Sequence, residues 1–147
     1  MSPTSAKEEY RAPAQILDQE AQRLGIAKPE NTVVSPTNIT GTWINVDHAT
    51  RNMVRVVIAP AGNEITVHGF GACVPNPCDW GQVAGLVYAD SVASVPAVAF
   101  TAQYKFSFSE VMLTGHLYNG ALFVESCTHF TDGSGRADYF ALDIMSK

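Results

Sequence analysis

Residues 110–130 read EVMLTGHLYNGALFVESCTHF, and this stretch decides the fold. At its centre stands Asn119-Gly120, a dipeptide that accepts positive φ at both positions and therefore marks a two-residue hairpin turn. The turn pairs Leu117 with Leu122. Apolar and polar residues alternate along both arms, as expected for antiparallel strands with one buried face.

The same alternation extends into the preceding run. A turn at Ser109-Glu110 would pair Tyr104 with Gly115, and the two turns agree on which residues share a face. The face predicted to point inward carries Phe100, Tyr104, Phe106, Phe108, Val111, Leu113, Gly115, Leu117, Leu122, Val124 and Phe130. The face predicted to point outward carries Gln103, Lys105, Thr114, His116, Tyr118, Glu125 and His129.

Eight short runs of this strand-like texture follow one another along the chain. They span residues 41–47, 53–59, 63–70, 82–89, 97–108, 110–118, 121–130 and 137–145. The gaps are short and rich in Gly, Pro, Asn and Asp, which is typical of hairpin-linked antiparallel strands. Because no helical pattern separates the runs, and because closure removes exposed edges, we predict an all-β, eight-stranded up-and-down barrel.

The first 30 residues differ from this body. Pro13 suits the first position of a helix, and Gly25 suits its end. Between them an apolar stripe at helical spacing is formed by Ile16, Leu17, Ala21 and Leu24. We therefore predict an N-terminal arm with a short helix over residues 13–24, and one barrel domain over residues 31–147.

Composition excludes several classes of partner. The 147-residue chain has a formal net charge of −5 and no basic patch, so nucleic acid is not a predicted ligand. No run is long and apolar enough for a membrane span, and no secretory leader is visible, which predicts a cytoplasmic protein. A mature secreted chain would look the same. Charged residues concentrate in residues 1–30, so the body is poor in charge, which favours self-association or a wide apolar cavity.

The most chemically mixed stretch is HGFGACVPNPCDWG at residues 68–81. Cys73 and Cys78 bracket two prolines, and three states stay open for them: reduced structural thiols, a disulfide, or a zinc site completed by His68 and Asp79. No second pair of cysteines or histidines follows at zinc-site spacing, so we predict no metal. No nucleotide or cofactor motif is present, and no cofactor is predicted.

Candidate ligand-binding residues come from this loop and from the predicted interior. Trp80 offers apolar area and Asp79 a charged acceptor, and we expect both to face a pocket at one end of the barrel. The aromatic residues Trp43, Tyr104 and Phe106 are expected to line the inside. The alternative for Trp80 is a hydrophobic plug of the barrel end.

A histidine and a carboxylate supply the candidate catalytic pair. His116 and Glu125 are diagonal neighbours across the Asn119-Gly120 hairpin, and a carboxylate beside a histidine is a usual general acid–base element. The alternation puts both on the outer face. They are therefore catalytic candidates only if this part of the barrel is inverted and they point into the lumen.

One short motif carries a family resemblance. Gly41-Thr42-Trp43 opens the first run, and a G-x-W triplet before about eight antiparallel strands resembles the calycin group of lipocalins, fatty-acid-binding proteins and avidins. The resemblance implies that Trp43 closes one end of the barrel and that a late arginine, here Arg136, packs over it. The C-x-P-x-x-C-D-W-G pattern of residues 73–81 also resembles uncharacterised bacterial barrels, to which no activity is attached.

These observations favour a barrel that binds a small apolar or amphipathic molecule in a mostly apolar cavity. One alternative is an enzyme on the same barrel, a cofactor-independent isomerase, cyclase or lyase. Another is a module that contacts proteins or glycans, or forms a homo-oligomer, through its charge-poor exterior. An all-apolar cavity would favour the carrier, a polar group inside the cavity the enzyme, and a packed interior the interaction module.

Overall fold

The computed structural model of the chain describes residues 33–147, which form a closed barrel of eight antiparallel strands. The strands are β1 (Gly41–Asn45), β2 (Met53–Ala61), β3 (Glu64–Gly71), β4 (Cys78–Ala89), β5 (Ala97–Lys105), β6 (Ser109–Tyr118), β7 (Ala121–Phe130) and β8 (Tyr139–Ser146). Each strand pairs with its neighbours in sequence, and β1 pairs with β8. The predicted all-β up-and-down barrel is confirmed. The predicted helix over residues 13–24 lies outside the described residues.

The β6–β7 hairpin has the predicted register. Asn119 and Gly120 both adopt positive φ, and Leu117 pairs with Leu122. Leu113 and Val124 are fully buried, whereas Lys105 and His116 on the opposite face are exposed. Within residues 33–147, no helix is long and apolar enough to cross a bilayer.

The β5–β6 connection lies three residues earlier than predicted. The N–H of Phe106 donates to Ser109 O at 2.8 Å, so residues 106–108 form the turn. Tyr104 consequently pairs with Val111, and Gly115 pairs with Phe100 rather than with Tyr104. The register between the two strands shifts by four positions, which is an even number. Every residue of β5 and β6 therefore keeps its predicted face. Phe108, predicted inside, lies in the turn and is 44% exposed.

Gly115 has a packing role that this register reveals. A Cβ atom placed on Gly115 would lie 2.2 Å from Cε1 of Phe100, which no pair of non-bonded carbon atoms tolerates. The Phe100 ring therefore occupies the space that a side chain at position 115 would need. Around it, buried side chains from all eight strands form one hydrophobic cluster inside the barrel.

Trp43 lies at the end of the barrel where β1 begins and β8 ends. Its indole Nε1–H donates to Ile39 O at 2.8 Å, and both residues are buried in the core cluster. The cation over the Trp43 ring is Lys147, whose Nζ lies 5.0 Å from the ring centroid and donates to Thr40 O. The expectation that Arg136 packs over Trp43 is wrong, because β8 runs away from Arg136 and carries Lys147 to this end instead.

Candidate functional site

The other end of the barrel carries four of the seven connections between strands. In an up-and-down barrel, the connections that follow odd-numbered strands all lie at one end. Here they are residues 46–52, 72–77, 106–108 and 131–138. We call this the loop end. The loop end includes the stretch around Trp80. It also includes Arg136, which we expected at the opposite end, over Trp43.

The loop between β3 and β4 is closed by a disulfide. Cys73 and Cys78 are joined, with their Cα atoms 5.4 Å apart, and residues 73–79 are exposed. The two sulfur atoms are therefore not free metal ligands. Within the described part of the chain, no group of three or more His, Cys, Asp and Glu side chains is arranged to hold a metal ion.

Asp79 and Trp80 point to opposite faces of the sheet, although we expected both to face one pocket. β4 begins at Cys78, four residues earlier than predicted, and successive residues of a strand alternate between faces. Asp79 lies on the outer face, where its Oδ1 accepts a hydrogen bond from Gly81 N at 2.8 Å and is 2.5 Å from His68 Nε2. The Gly81 N–H and His68 together hold the pKa of Asp79 below its usual value.

Trp80 lies on the inner face and packs on a surface that only glycine provides. A Cβ atom on Gly71 would lie 2.8 Å from the indole Nε1, and one on Gly69 would lie 3.2 Å from Cε3. The indole makes edge contacts with Tyr104 and Phe106, at centroid distances of 5.5 and 5.9 Å. Its Nε1–H donates to no acceptor in residues 33–147, unlike the Nε1–H of Trp43.

Tyr104 is buried and its hydroxyl is fully engaged. The hydroxyl accepts from Gly69 N at 2.9 Å and lies 2.7 Å from Gly81 O and 3.1 Å from Val67 O, to either of which it donates. Burial raises the pKa of Tyr104. The side chain therefore ties β5 to β3 and β4, and it offers its ring rather than its hydroxyl to any ligand.

A row of aromatic rings continues from Tyr104 to the rim of the loop end. Phe106 stacks on Tyr104 at 5.5 Å and on Phe108 at 5.6 Å, with interplanar angles of 13° and 10°. We call Trp80, Tyr104, Phe106 and Phe108 the aromatic row. Its environment changes along its length, from the buried core at Tyr104 to solvent at Phe108.

Arg136 borders the aromatic row from the β7–β8 loop. Its guanidinium carbon lies 4.2 Å from the ring centroid of Phe130 and 5.8 Å from that of Phe108. Nη2 donates to Asp132 Oδ2 at 2.8 Å. The planar face of the guanidinium therefore links the β7–β8 loop to the β5–β6 turn. Its charge is balanced by the Asp132 carboxylate in its own loop.

Ser109 supplies an unpaired hydroxyl beside the row. The side chain is 1% exposed, and its Oγ has no hydrogen-bond partner among the described residues. It pairs across the hairpin with Phe130, and the inward positions that follow on β7 are Thr128 and Ser126. Small hydroxyl residues thus face the interior on β6 and β7, near the aromatic row. Ser126 and Thr128 lie in the inward phase predicted for this strand, whereas Ser109 was predicted to lie in a turn.

Asp143 is a buried carboxyl on the inner face of β8 that the sequence analysis also missed. Oδ1 accepts from Asn45 Nδ2 at 2.9 Å, and Oδ2 accepts from Asn52 Nδ2 at 2.6 Å. Burial raises the pKa of Asp143, while these amides and the N–H of Met53 act in the opposite direction. The carboxyl ties the loop of residues 46–52 to the barrel interior.

The pH dependence of stability should reveal this buried carboxyl. A raised folded-state pKa means that Asp143 stabilises the fold most when protonated, below its unfolded-state pKa. That contribution is lost as pH rises through the raised folded-state pKa. We expect the difference in unfolding free energy between wild type and Asp143→Asn to fall as pH rises through this range, measured by urea denaturation.

Asp79→Asn is the matched control. Its lowered pKa predicts the opposite dependence, a contribution present above the unfolded-state pKa and lost as pH falls through the folded-state value. A difference for Asp143→Asn that grows with rising pH would contradict the assignment.

The candidate catalytic pair lies outside the barrel. His116 is exposed and stacks on Phe123 at 5.4 Å, and Glu125 pairs with Thr114 across the hairpin. The condition that they point into the lumen is not met. His129 also lies on the outer face, where Asp138 accepts from its Nδ1 at 2.7 Å and raises the pKa of the imidazole.

Trp43 lies apart from the other candidate ligand-binding residues. Trp80, Tyr104 and Phe106 meet in the aromatic row, while Trp43 is buried at the opposite end.

Comparisons of the chain with protein-family models, with curated proteins and with solved structures find no match.

Proposed function

We propose that this barrel binds a small, mostly apolar molecule at its loop end, against the aromatic row. The observation that carries the proposal is the row itself. Four aromatic rings in contact run from the core to solvent at the end where four loops converge. Aromatic surfaces of this kind, with few polar groups, are typical of small-molecule sites. The calycin resemblance of Gly41-Thr42-Trp43 agrees with such a role.

A packed interior is the feature expected of an interaction module, and in a binding barrel it limits where the ligand lies. One cluster of buried side chains extends from Trp43 to Tyr104, so the ligand belongs above this cluster rather than in a deep cavity. Phe106, Phe108 and the indole of Trp80 are the surfaces it would contact. Because Trp80 itself is half-buried over Gly69 and Gly71, a modest movement of the indole would enlarge the contact area.

The polar groups of this end favour an amphipathic ligand. The buried Ser109 Oγ has no partner in the described residues, and such a group costs about 1–3 kcal/mol. The Trp80 Nε1–H also has no partner there, although it is not buried. One polar group on the ligand would satisfy either of them. Tyr104 and Asp143 are already hydrogen-bonded, and the histidine–aspartate pairs lie outside, so we propose no reaction at this site.

A fluorescent amphipathic probe tests the site. We expect anilinonaphthalene sulfonate to bind the native protein, and Phe108→Ser to weaken that binding about tenfold, which corresponds to roughly 1.4 kcal/mol. The measurement is a fluorescence titration under conditions where circular dichroism shows each variant to be folded. Tyr118→Ser is the matched control, because it removes a large exposed ring from the opposite end of the barrel.

The two variants separate the site from non-specific binding. Unchanged affinity in Tyr118→Ser supports the loop end as the binding site. An equal loss in both variants, or no loss in Phe108→Ser, would overturn the proposal.

A second candidate function is an assembly module, and a separate observation favours it. The interior is packed, while the exterior of the barrel exposes large apolar side chains on adjacent strands. Exposed apolar patches mark interaction surfaces when they are contiguous.

A further inference from the structure

The outer wall of the barrel carries a contiguous apolar patch on β6, β7, β8 and the residue that follows β1. Six outward side chains compose this patch, which we call the apolar wall: Met112, Cys127, Phe140, Leu142, Ile144 and Val46. The first three occupy paired positions in one row across three strands. The N–H of Val46 donates to Ile144 O at 2.9 Å, which brings the last two together.

The apolar wall is largely uncovered. Met112 is 55% exposed, Phe140 59%, Leu142 50% and Val46 53%. At roughly 100 Å² for each half-exposed large side chain, these four leave on the order of 400 Å² of apolar surface on one copy. Two copies that met through the same wall would bury about 800 Å² from these residues alone. The other wall residues and a polar rim bring the total to the ~1,000 Å² that a specific interface needs.

The six side chains of the apolar wall are uncharged, so two copies can meet there despite the net charge of −5. Glu125, which pairs with Leu142, is the charged residue at the inner edge of the wall. Lys105, Glu110 and His129 form a row of paired positions along one margin. This row places polar and charged side chains beside the apolar centre, as in interfaces that have a polar rim.

We propose that the apolar wall is the surface through which two copies of this chain associate into a two-fold symmetric dimer. The free thiol of Cys127 lies in the row between Met112 and Phe140. A central residue of a two-fold interface meets its own copy, so Cys127 reports on the arrangement. This inference does not depend on ligand binding at the loop end.

Sedimentation equilibrium of the full-length protein tests the dimer, over about a hundredfold range of concentration because dimer stability depends on it. We expect wild type to reach the mass of a dimer. The double variant Phe140→Lys, Leu142→Lys should weaken association at least about thirtyfold, as for residues at the centre of an interface. The control is Leu86→Lys, Tyr88→Lys, which changes two exposed apolar residues on β4 and should leave association unchanged.

Chemical crosslinking of the wild-type protein tests the dimer independently, in case the wall variant does not fold. A short thiol-to-thiol crosslinker should join two copies of wild type through Cys127, and Cys127→Ser should abolish the product. Wild type that stays monomeric at every concentration would overturn the proposal and direct attention to a different protein as partner. Association that persists undiminished in the folded wall variant would overturn it as well.

Discussion

Replacing Trp43 with alanine should lower the free energy of unfolding by about 3–5 kcal/mol, the range for removing a large aromatic side chain from a packed core. The side chain is 1% exposed and belongs to the cluster that fills the barrel. Its loss also leaves Ile39 O without the indole donor at 2.8 Å. Urea denaturation followed by far-ultraviolet circular dichroism is the measurement, since the substitution removes a fluorophore.

Trp80→Ala is the comparison at the other end of the barrel. Trp80 is half-buried and its Nε1–H has no partner in the described residues, so we expect a smaller loss than for Trp43→Ala. If Trp43→Ala does not fold, Trp43→Phe keeps an aromatic ring and should show an intermediate loss. A loss for Trp43→Ala no larger than that for Trp80→Ala would mean that Trp43 does not close its end as described.

Gly115→Ala should destabilise the protein by about 1–3 kcal/mol, the usual cost of forcing extra volume into a packed core. The added Cβ would lie 2.2 Å from Cε1 of Phe100, so the ring or the strand must shift. Reducing the ring should relieve the conflict. In the double variant Phe100→Leu, Gly115→Ala, we expect part of the loss to be recovered, measured as a favourable coupling free energy in a double-mutant cycle.

The choice of rescuing partner tests the register of β5 and β6. Phe100 pairs with Gly115 in the structure, whereas the sequence pattern alone paired Gly115 with Tyr104. Tyr104→Leu should therefore not rescue Gly115→Ala. Rescue by Tyr104→Leu and none by Phe100→Leu would restore the register predicted from the sequence.

The two hairpins show why one register was predictable and the other was not. Asn119-Gly120 specifies the position of its turn, because few other dipeptides accept positive φ at both positions. The segment Phe106-Ser107-Phe108-Ser109 contains no such residue and alternates like a strand, so the turn has no local signal. Alternation determines only the face of each residue, and any even shift of the pairing satisfies it equally well.

The candidate site was predicted only in part, for a related reason. Composition identified the loop around Trp80, but the start of β4 at Cys78 decides that Asp79 and Trp80 point to opposite faces. That start depends on pairing with β3, which is a long-range property. Asp143 could have been found, because Ala141, Asp143 and Met145 occupy the inward phase of the last strand. A carboxylate in that phase predicts a buried polar contact, whose partners Asn45 and Asn52 are distant in sequence.

The two indole groups of the chain allow a direct test of ligand binding at the loop end. In a proton–nitrogen correlation spectrum, Trp43 and Trp80 each give one indole Nε1–H signal, and Trp80→Phe assigns them. On titration with anilinonaphthalene sulfonate, we expect the Trp80 signal to move progressively to saturation. The Trp43 Nε1–H is hydrogen-bonded to Ile39 O at the opposite end, so its chemical shift should not change. A Trp43 signal that moves while that of Trp80 does not, or a saturated complex in which neither moves, would contradict binding against the aromatic row.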